Sequence, residues 1–202
     1  MSQEQLIQEL ISTLGADVVL RGADVPERYQ TDWSGTPPQQ PLALVRPRTT
    51  EEISAALRLC SAHKVAVVPQ GGMTGLAGAA TPTQGTVALS LDRMNSIEDI
   101  NSQTGLMQVQ AGVTLQAVQE AAVAAGMVFG VDLGARGSCQ IGGNVSTNAG
   151  GNGGLQHGKG GGEEPEGQYA RAGLLMLRDR VTFEDGTNGV EAGLMDMLER
   201  MQ

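Results

Sequence analysis

The sequence predicts an α+β fold, and three observations predict it. Residues 42–68 read strand, helix, strand, with a helical N-cap signal between two short apolar runs. Two glycine-rich stretches, 69–78 and 137–151, come after predicted apolar strands. Between them, residues 87–125 carry two more strand-like runs and another capped helix.

Taken in order, Ser2 and Gln5 form a capping box. Leu6, Ile7, Leu10, Ile11 and Leu14 then recur at helical spacing until Gly15 ends the helix. Residues 16–41 hold Pro26, Trp33, Gly35, Pro37, Pro38 and Pro41, the marks of an extended, irregular lead-in. Leu42–Val45 is a short strand. Thr49 with Glu52 makes a second capping box, and Ile53, Ala56, Leu57 and Cys60 give that helix its apolar face. Val65–Val68 is the next strand, closed by Pro69. A crossover helix between two such strands predicts a parallel, directly paired couple.

Val87–Leu91 and Leu106–Ala111 read as further strands, with Asn95–Thr104 a polar turn between them. Thr114 caps a helix to about Ala125, Gly126 is its C′ residue, and Met127–Phe129 is a short strand feeding the second glycine-rich stretch. The character changes after Gly154. Residues 157–168 are rich in Gly and Glu, 174–185 regain an apolar pattern, and 191–201 read as a short helix. The chain therefore divides into an N-terminal helix and lead-in (1–40), a central domain (41–154) and a divergent, partly low-complexity tail (155–202).

At 202 residues the chain can build one substantial domain or two small ones. Aromatic residues make up only 2%, so the core must be built mainly from Val, Leu, Ile, Ala and Met. Of 29 glycines, 18 fall within 71–78 and 130–167, a local enrichment that points to ligand loops or disorder rather than a fibrous repeat. A net charge of -9 with no basic run argues against nucleic acid as a partner. Cys60 and Cys139 stand in no metal or redox spacing and read as small buried hydrophobes. The N-terminus lacks the layout of a signal peptide, and no apolar run is long enough to cross a membrane, which predicts a cytoplasmic chain.

The chemistry is concentrated in the two glycine-rich stretches. Glycine lacks the Cβ that would keep ligand atoms from the backbone, and it tolerates positive φ. The first stretch, Pro-Gln-Gly-Gly-Met-Thr-Gly-Leu-Ala-Gly, lies at the carboxyl end of a predicted parallel strand, where α/β sheets bind ligands. Bare N–H groups plus the Thr74 hydroxyl suit a diphosphate, which accepts many neutral donors without requiring a cation. No GxGxxG follows a predicted strand. Residues 153–159 spell GxxxxGK, but Gly160 stands where a P-loop requires Ser or Thr, and no strand precedes it. The second stretch offers Gly142, Gly143 and Gly150 for close approach, with Ser138, Asn144, Thr147 and Asn148 for side-chain hydrogen bonds. Alone it reads equally well as a self-stabilised turn cluster. With the first stretch it points to a flavin.

Several separate runs then resemble one family. They are Arg28-Tyr29-Gln30-Thr31-Asp32-Trp33-Ser34-Gly35, Val45-Arg46-Pro47, residues 69–78, and Asp132-Leu133-Gly134-Ala135-Arg136-Gly137-Ser138-Cys139 through Thr147-Asn148-Ala149-Gly150-Gly151. In that order they resemble the FAD-linked oxidases of the vanillyl-alcohol oxidase superfamily. Within it they are most similar to the D-2-hydroxyacid dehydrogenases of the D-lactate, glycolate-oxidase-subunit and D-2-hydroxyglutarate types. The resemblance covers residues 28–154 and implies a PCMH-type FAD-binding domain of two subdomains, its C-terminal part truncated or divergent. It implies FAD contacts from Pro69, Gln70, Gly71, Gly72, Met73, Thr74, Gly75 and Gly78, with the diphosphate on 71–75. Further contacts are implied for Gly137, Ser138, Ile141, Gly142, Gly143, Asn144, Thr147, Asn148 and Gly150. The implied reaction is oxidation of a small D-2-hydroxy acid by hydride transfer to flavin N5.

Two departures shape that expectation. Met73 stands where many relatives have Asn and some a histidine bonded to the flavin, so FAD is expected to be held non-covalently. Ala79 replaces a glycine often found beside Gly78. The family's Leu-Arg-Tyr-Gly and Asp-Gly-Thr pieces are echoed by Leu155-Gln156-His157-Gly158 and Asp185-Gly186-Thr187. Its substrate-binding cap, with histidine and acidic ligands and a carboxylate-holding arginine, has no counterpart. Neither His63 nor His157 reads as a catalytic base, and no catalytic or metal-ligating residue is assigned. Two readings stay open: the FAD-binding portion of a hydroxyacid-oxidising enzyme, and a truncated or frame-shifted flavin-binding remnant. A cell-wall enolpyruvyl-UDP-sugar reductase on the same fold fits residues 132–151 less well.

Overall fold

The computed structural model describes residues 3–149. Ser2, Gly150, the 153–159 segment, His157 and the elements predicted beyond 170 lie outside the described residues. Helix α1 (Gln3–Leu14) buries Leu6, Ile7 and Leu10. Gly15 at φ +97° stops it, its N–H still reaching the Ile11 carbonyl at 2.9 Å. The lead-in contains strand β1 (Val19–Leu20) and two 3-10 turns, Gly22–Asp24 and Glu27–Tyr29. Strand β2 (Ala43–Val45) is fully buried. Helix α2 (Thr50–Ala62) opens as the capping box predicts, Thr49 Oγ1 accepting from the Glu52 N–H at 3.3 Å. Glu52 reaches back one residue further than expected, accepting from the Arg48 N–H at 2.7 Å.

Strands β3 (Val67–Gln70) and β4 (Val87–Ser90) complete a four-stranded sheet in the order β1-β2-β4-β3. The expectation that β2 and β3 pair directly is corrected: both run parallel to β4, which lies between them. Every residue of β4 is buried, and a wholly buried apolar strand belongs at a sheet centre. The strand expected to close at Pro69 also runs on to Gln70. The Val87 and Leu91 N–H groups donate to the Ala66 and Gln70 carbonyls at 3.0 Å, so the alternate residues Val67 and Pro69 face the open edge. A proline there removes no ladder bond.

Strand β5 (Ile97–Asn101) and strand β6 (Leu106–Val109) form an antiparallel hairpin. Half of the polar turn predicted at 95–104, residues 97–101, is thus strand. A register shift between Ile97 and Asp99 breaks the two-residue alternation, and Ile97 and Ile100 no longer look like one face. Helix α3 (Leu115–Ala124) is capped by Thr114 Oγ1 on the Ala117 N–H at 3.3 Å. It ends in a Schellman turn, Gly126 at φ +74° and the Met127 N–H donating to the Ala122 carbonyl at 2.8 Å. Residues 127–129 form no strand: once that turn has redirected the chain, Phe129 packs into the second core instead.

The last element corrects the second loop, part of which is helix α4 (Ile141–Ser146). Asn148 at φ +51° is its C′ residue, and the Ala149 N–H donates to the Asn144 carbonyl at 2.8 Å. Two glycines inside a helix lower its intrinsic propensity, which is why the segment reads as a loop.

Among the described residues three hydrophobic clusters result. Helices α1 and α2 cover one face of the four-stranded sheet with Leu6, Leu10, Ala56 and Cys60 over Val45, Val87 and Leu89. Val25 and Tyr29 of the lead-in cover Leu44 and Ala88 on the other face. Val113, Leu115, Val118, Cys139 and Ile141 build the core of the second unit. Both cysteines are buried and unbridged, and burial pushes the Cys60 thiol up to about 11, as suits an inert packing residue.

Candidate cofactor site

The first glycine loop leaves β3 and is fastened at its base. Gln70 is 0% exposed, and its Nε2 donates to the Tyr29 and Ala80 carbonyls, each at 2.9 Å. Asp32, 5% exposed, accepts from the Ser34 N–H at 3.1 Å and the Ala80 N–H at 3.3 Å. Its own N–H donates to Thr81 Oγ1 at 3.1 Å. Burial works against its charge, but the bonds from Ser34 and Ala80 outweigh burial and hold the carboxyl below its usual range. The loop is therefore tied shut across residues 70–81 by the lead-in. Within it Met73 sits at φ +57°, a region where an unbranched side chain costs about 1–2 kcal/mol and Asn is better tolerated.

The second segment is folded back on α3. The Leu115 N–H donates to the Cys139 carbonyl at 3.1 Å and the Gln116 N–H to the Arg136 carbonyl at 2.9 Å. The Ile141 and Gly142 N–H groups donate to the Val113 and Ala111 carbonyls at 2.9 and 2.8 Å. These bonds present residues 137–140 to the first loop, and the two meet backbone to backbone. A Cβ on Gly72 would lie 1.9 Å from the Ser138 carbonyl oxygen and 2.9 Å from Cys139 Cα. A Cβ on Gly112 would lie 1.9 Å from the Leu91 carbonyl oxygen at the end of β4. One on Gly142 would lie 2.8 Å from Ala111 Cβ. Glycine here does more than bare its N–H groups to a ligand. At Gly72 and Gly112 it lets the two units approach more closely than any side chain allows, and at Gly142 it lets helix α4 pack against Ala111 within the second unit.

The predicted site residues accordingly separate. Gly71 and Gly72 meet Gln140 and Ser138 at the junction, while Gly137 faces Gln116 of α3, its would-be Cβ 3.2 Å from Oε1; Gly75 lies beside Asp32, its would-be Cβ 3.7 Å from Oδ2. Gly78, at φ +77°, is held against Thr36 and Ser34. Thr74 is half-buried in the loop and Pro69 is exposed on the sheet edge. Ile141 is a core residue. Several side chains expected to meet a ligand have local partners: Asn144 Nδ2 donates to Cys139 Sγ at 3.5 Å and Thr147 Oγ1 to the Gly143 carbonyl at 2.8 Å. Gly143 differs from its neighbours. It is exposed, and nothing lies within 4 Å of where its Cβ would stand.

Sequence reasoning missed Asp32 as a brace, Gly112 as a junction glycine, and Gln140. For Gly112 the signal was present, a glycine two residues before a helix cap. For Gln140 nothing in the sequence gives notice.

The residues present fit FAD. Residues 69–78 and 137–149 contain no Lys or Arg, so an anion there is met by neutral donors. Gly143 keeps open space, and two buried amide oxygens, Oε1 of Gln70 and of Gln140, have no protein partner. Among the described residues no cluster of His, Cys, Asp and Glu could hold a metal, and no helix is long and apolar enough to cross a membrane.

Comparison with known proteins agrees with that fit. Residues 41–162 match a family model described as an FAD binding domain, more than half of the chain. The chain belongs to this FAD-binding-domain family, and FAD is the cofactor of that domain. It is 48% identical over 125 residues to a D-2-hydroxyglutarate dehydrogenase of Xanthomonas citri pv. viticola, spanning 62% of this chain and 26% of that protein. It is 42% identical over 125 residues to the mitochondrial D-2-hydroxyglutarate dehydrogenase of Bos taurus, spanning 62% of this chain and 23% of that protein. An alkyldihydroxyacetonephosphate synthase shares the fold, with a TM-score of 0.70 at 20% identity over 78% of this chain and 34% of its own. The chain thus spans about a quarter of the length of these curated relatives.

Proposed function

We propose that residues 69–78 and 137–149 hold FAD non-covalently, and that the chain is the FAD-binding portion of an oxidoreductase acting on D-2-hydroxy acids, D-2-hydroxyglutarate first among them. The observation that carries the reading is the junction at Gly72, where two loops of the family's motif meet beside neutral backbone donors and open space at Gly143. Bound FAD would supply the redox chemistry, accepting hydride from the carbon that bears the substrate hydroxyl. The chain's own part is to grip and orient. Asp32 and Gln70 keep the first loop closed, the junction glycines fix the second loop against it, and Met73 has no atom that could form a bond to the flavin. Two free, buried cysteines suit the reducing cytoplasm as its setting.

Purified protein reconstituted with FAD is expected to keep a flavin absorbance through desalting and to lose it to the supernatant on acid precipitation. Flavin that precipitates with the protein would overturn the non-covalent part, and absence of flavin after reconstitution would overturn the binding itself.

A second expectation concerns turnover. A polypeptide of these 202 residues, expressed by itself and loaded with FAD, will not oxidise D-2-hydroxyglutarate, D-lactate or glycolate. Oxidation requires a cation on the substrate carboxylate and a base for the hydroxyl proton, both placed against the flavin. Among the described residues the only histidine is His63, 3% exposed in the α1–α2 contact and bonded to Glu9 at 2.8 Å. Arg28 and Arg46 are engaged by Asp92, Arg48 by Asp17 and Arg136 by Asp132. Steady, D-specific reduction of a dye acceptor by any of these acids would refute this.

A further inference from the structure

We infer that the Gln140 side chain is a ligand-binding group, accepting a hydrogen bond from a hydroxyl or ring N–H of the bound dinucleotide; this rests on the FAD reading above. Gln140 is 8% exposed, and its Oε1 is buried with no protein partner. It occupies the N-cap position of α4, yet its side chain makes no cap bond to that helix. The oxygen stands 3.4 Å from where a side chain on Gly71 would begin, at the meeting of the two loops. A buried acceptor left unpaired is costly, and native proteins rarely keep one without a use. The other unpaired amide oxygen in this region, that of Gln70, belongs to a side chain whose nitrogen already makes two bonds and so has a bracing role. The Gln140 side chain makes no such bond.

The class of group it takes follows from its chemistry. An amide oxygen accepts and cannot donate. Ionised phosphate oxygens offer it no proton, so the partner is not the diphosphate. It is a hydroxyl or ring N–H, carried either by the flavin and ribityl half of FAD or by the adenosine half.

The test uses the full chain and two substitutions' worth of contrast in one variant. Gln140→Met keeps the length of the side chain and removes its hydrogen bonding. Without ligand, the variant should melt at or above the wild-type temperature, because an unsatisfied polar group has been removed. With ligand, its FAD affinity should fall about tenfold, the loss of one good hydrogen bond. FMN should show the same loss and ADP none if the partner lies on the flavin half; the reverse pattern assigns it to the adenosine half. Unchanged affinity for all three, or a lower melting temperature without ligand, overturns the inference, the latter by showing an ordinary structural role. Should the wild-type chain bind none of the three, the FAD reading fails, and the ligand contact fails with it, whatever the melting data show about the unpaired oxygen of Gln140.

Discussion

Gly72→Val and Gly143→Val will both abolish FAD binding, but only the first will damage the protein that remains. At Gly72 even the first atom of a side chain would stand 1.9 Å from the Ser138 carbonyl oxygen, with backbone on both sides and no flexible group to yield. The loops must part, and overpacking of that kind costs about 1–3 kcal/mol. The melting temperature should fall by several degrees, and FAD affinity should drop beyond detection because the two halves of its site no longer meet. At Gly143 there is nothing within 4 Å to strike. Valine is a slightly better helix former than glycine, by a few tenths of a kcal/mol, so helix α4 and the ligand-free fold should be unharmed. Its branched side chain would instead fill the open space that the proposed FAD reading gives to the ligand. Thermal melts without FAD, paired with FAD titrations, separate the two. Equal melting losses, or flavin binding by Gly143→Val at wild-type strength, would show that the open space at Gly143 is not the ligand's.

That contrast marks how far the sequence could be read. The caps at Thr49 and Thr114, the stops at Gly15 and Gly126, and the β-α-β run were legible because each rests on a local rule: a hydroxyl for an orphan N–H, a residue that accepts positive φ. The convergence of the two glycine stretches was legible too, as a resemblance and as chemistry. What each glycine does was not. Gly72 and Gly142 look the same as Gly143 in sequence, and only the path of the neighbouring backbone tells packing from open space. Strand β5 was hidden by its bulge, and the order of the sheet by the insertion of β4, a strand later in the chain, between β2 and β3. Asp32 fell inside a recognised run, but its task of closing the first loop depends on Ala80 and Thr81, far along the chain.

The carboxyl ends of β2 and β4 carry a second brace whose removal should be nearly as damaging. Asp92, 15% exposed, accepts from Arg28 at 2.7 Å, from Arg46 at 3.1 Å and from the Tyr29 hydroxyl. Arg28 also bonds the Tyr29 hydroxyl and stacks over its ring at 4.4 Å. Tyr29 is itself a core residue, and its carbonyl takes the Gln70 bond that closes the first loop. Asp92→Ala would leave the partly buried Arg46 guanidinium without its anion and the half-buried Tyr29 hydroxyl without its acceptor, a loss of about 1–3 kcal/mol, while the largely exposed Arg28 returns to water. The effect depends on pH in a defined direction. Burial opposes the charge of Asp92, but Tyr29, Arg46 and Arg28 outweigh it and hold its pKa below the ordinary 3.8. A carboxyl lowered in the folded state contributes stability that is fully present above its unfolded pKa and is lost as pH falls through the folded one. Asp32 shifts in the same direction and adds to the same loss. Between neutral pH and pH ~4 the wild type should therefore keep its advantage over Asp92→Ala, and below that the two melting curves should converge. Parallel curves down to the acid limit would mean that Asp92 is not held as an ionised partner, and the brace would reduce to the packing of Tyr29 alone.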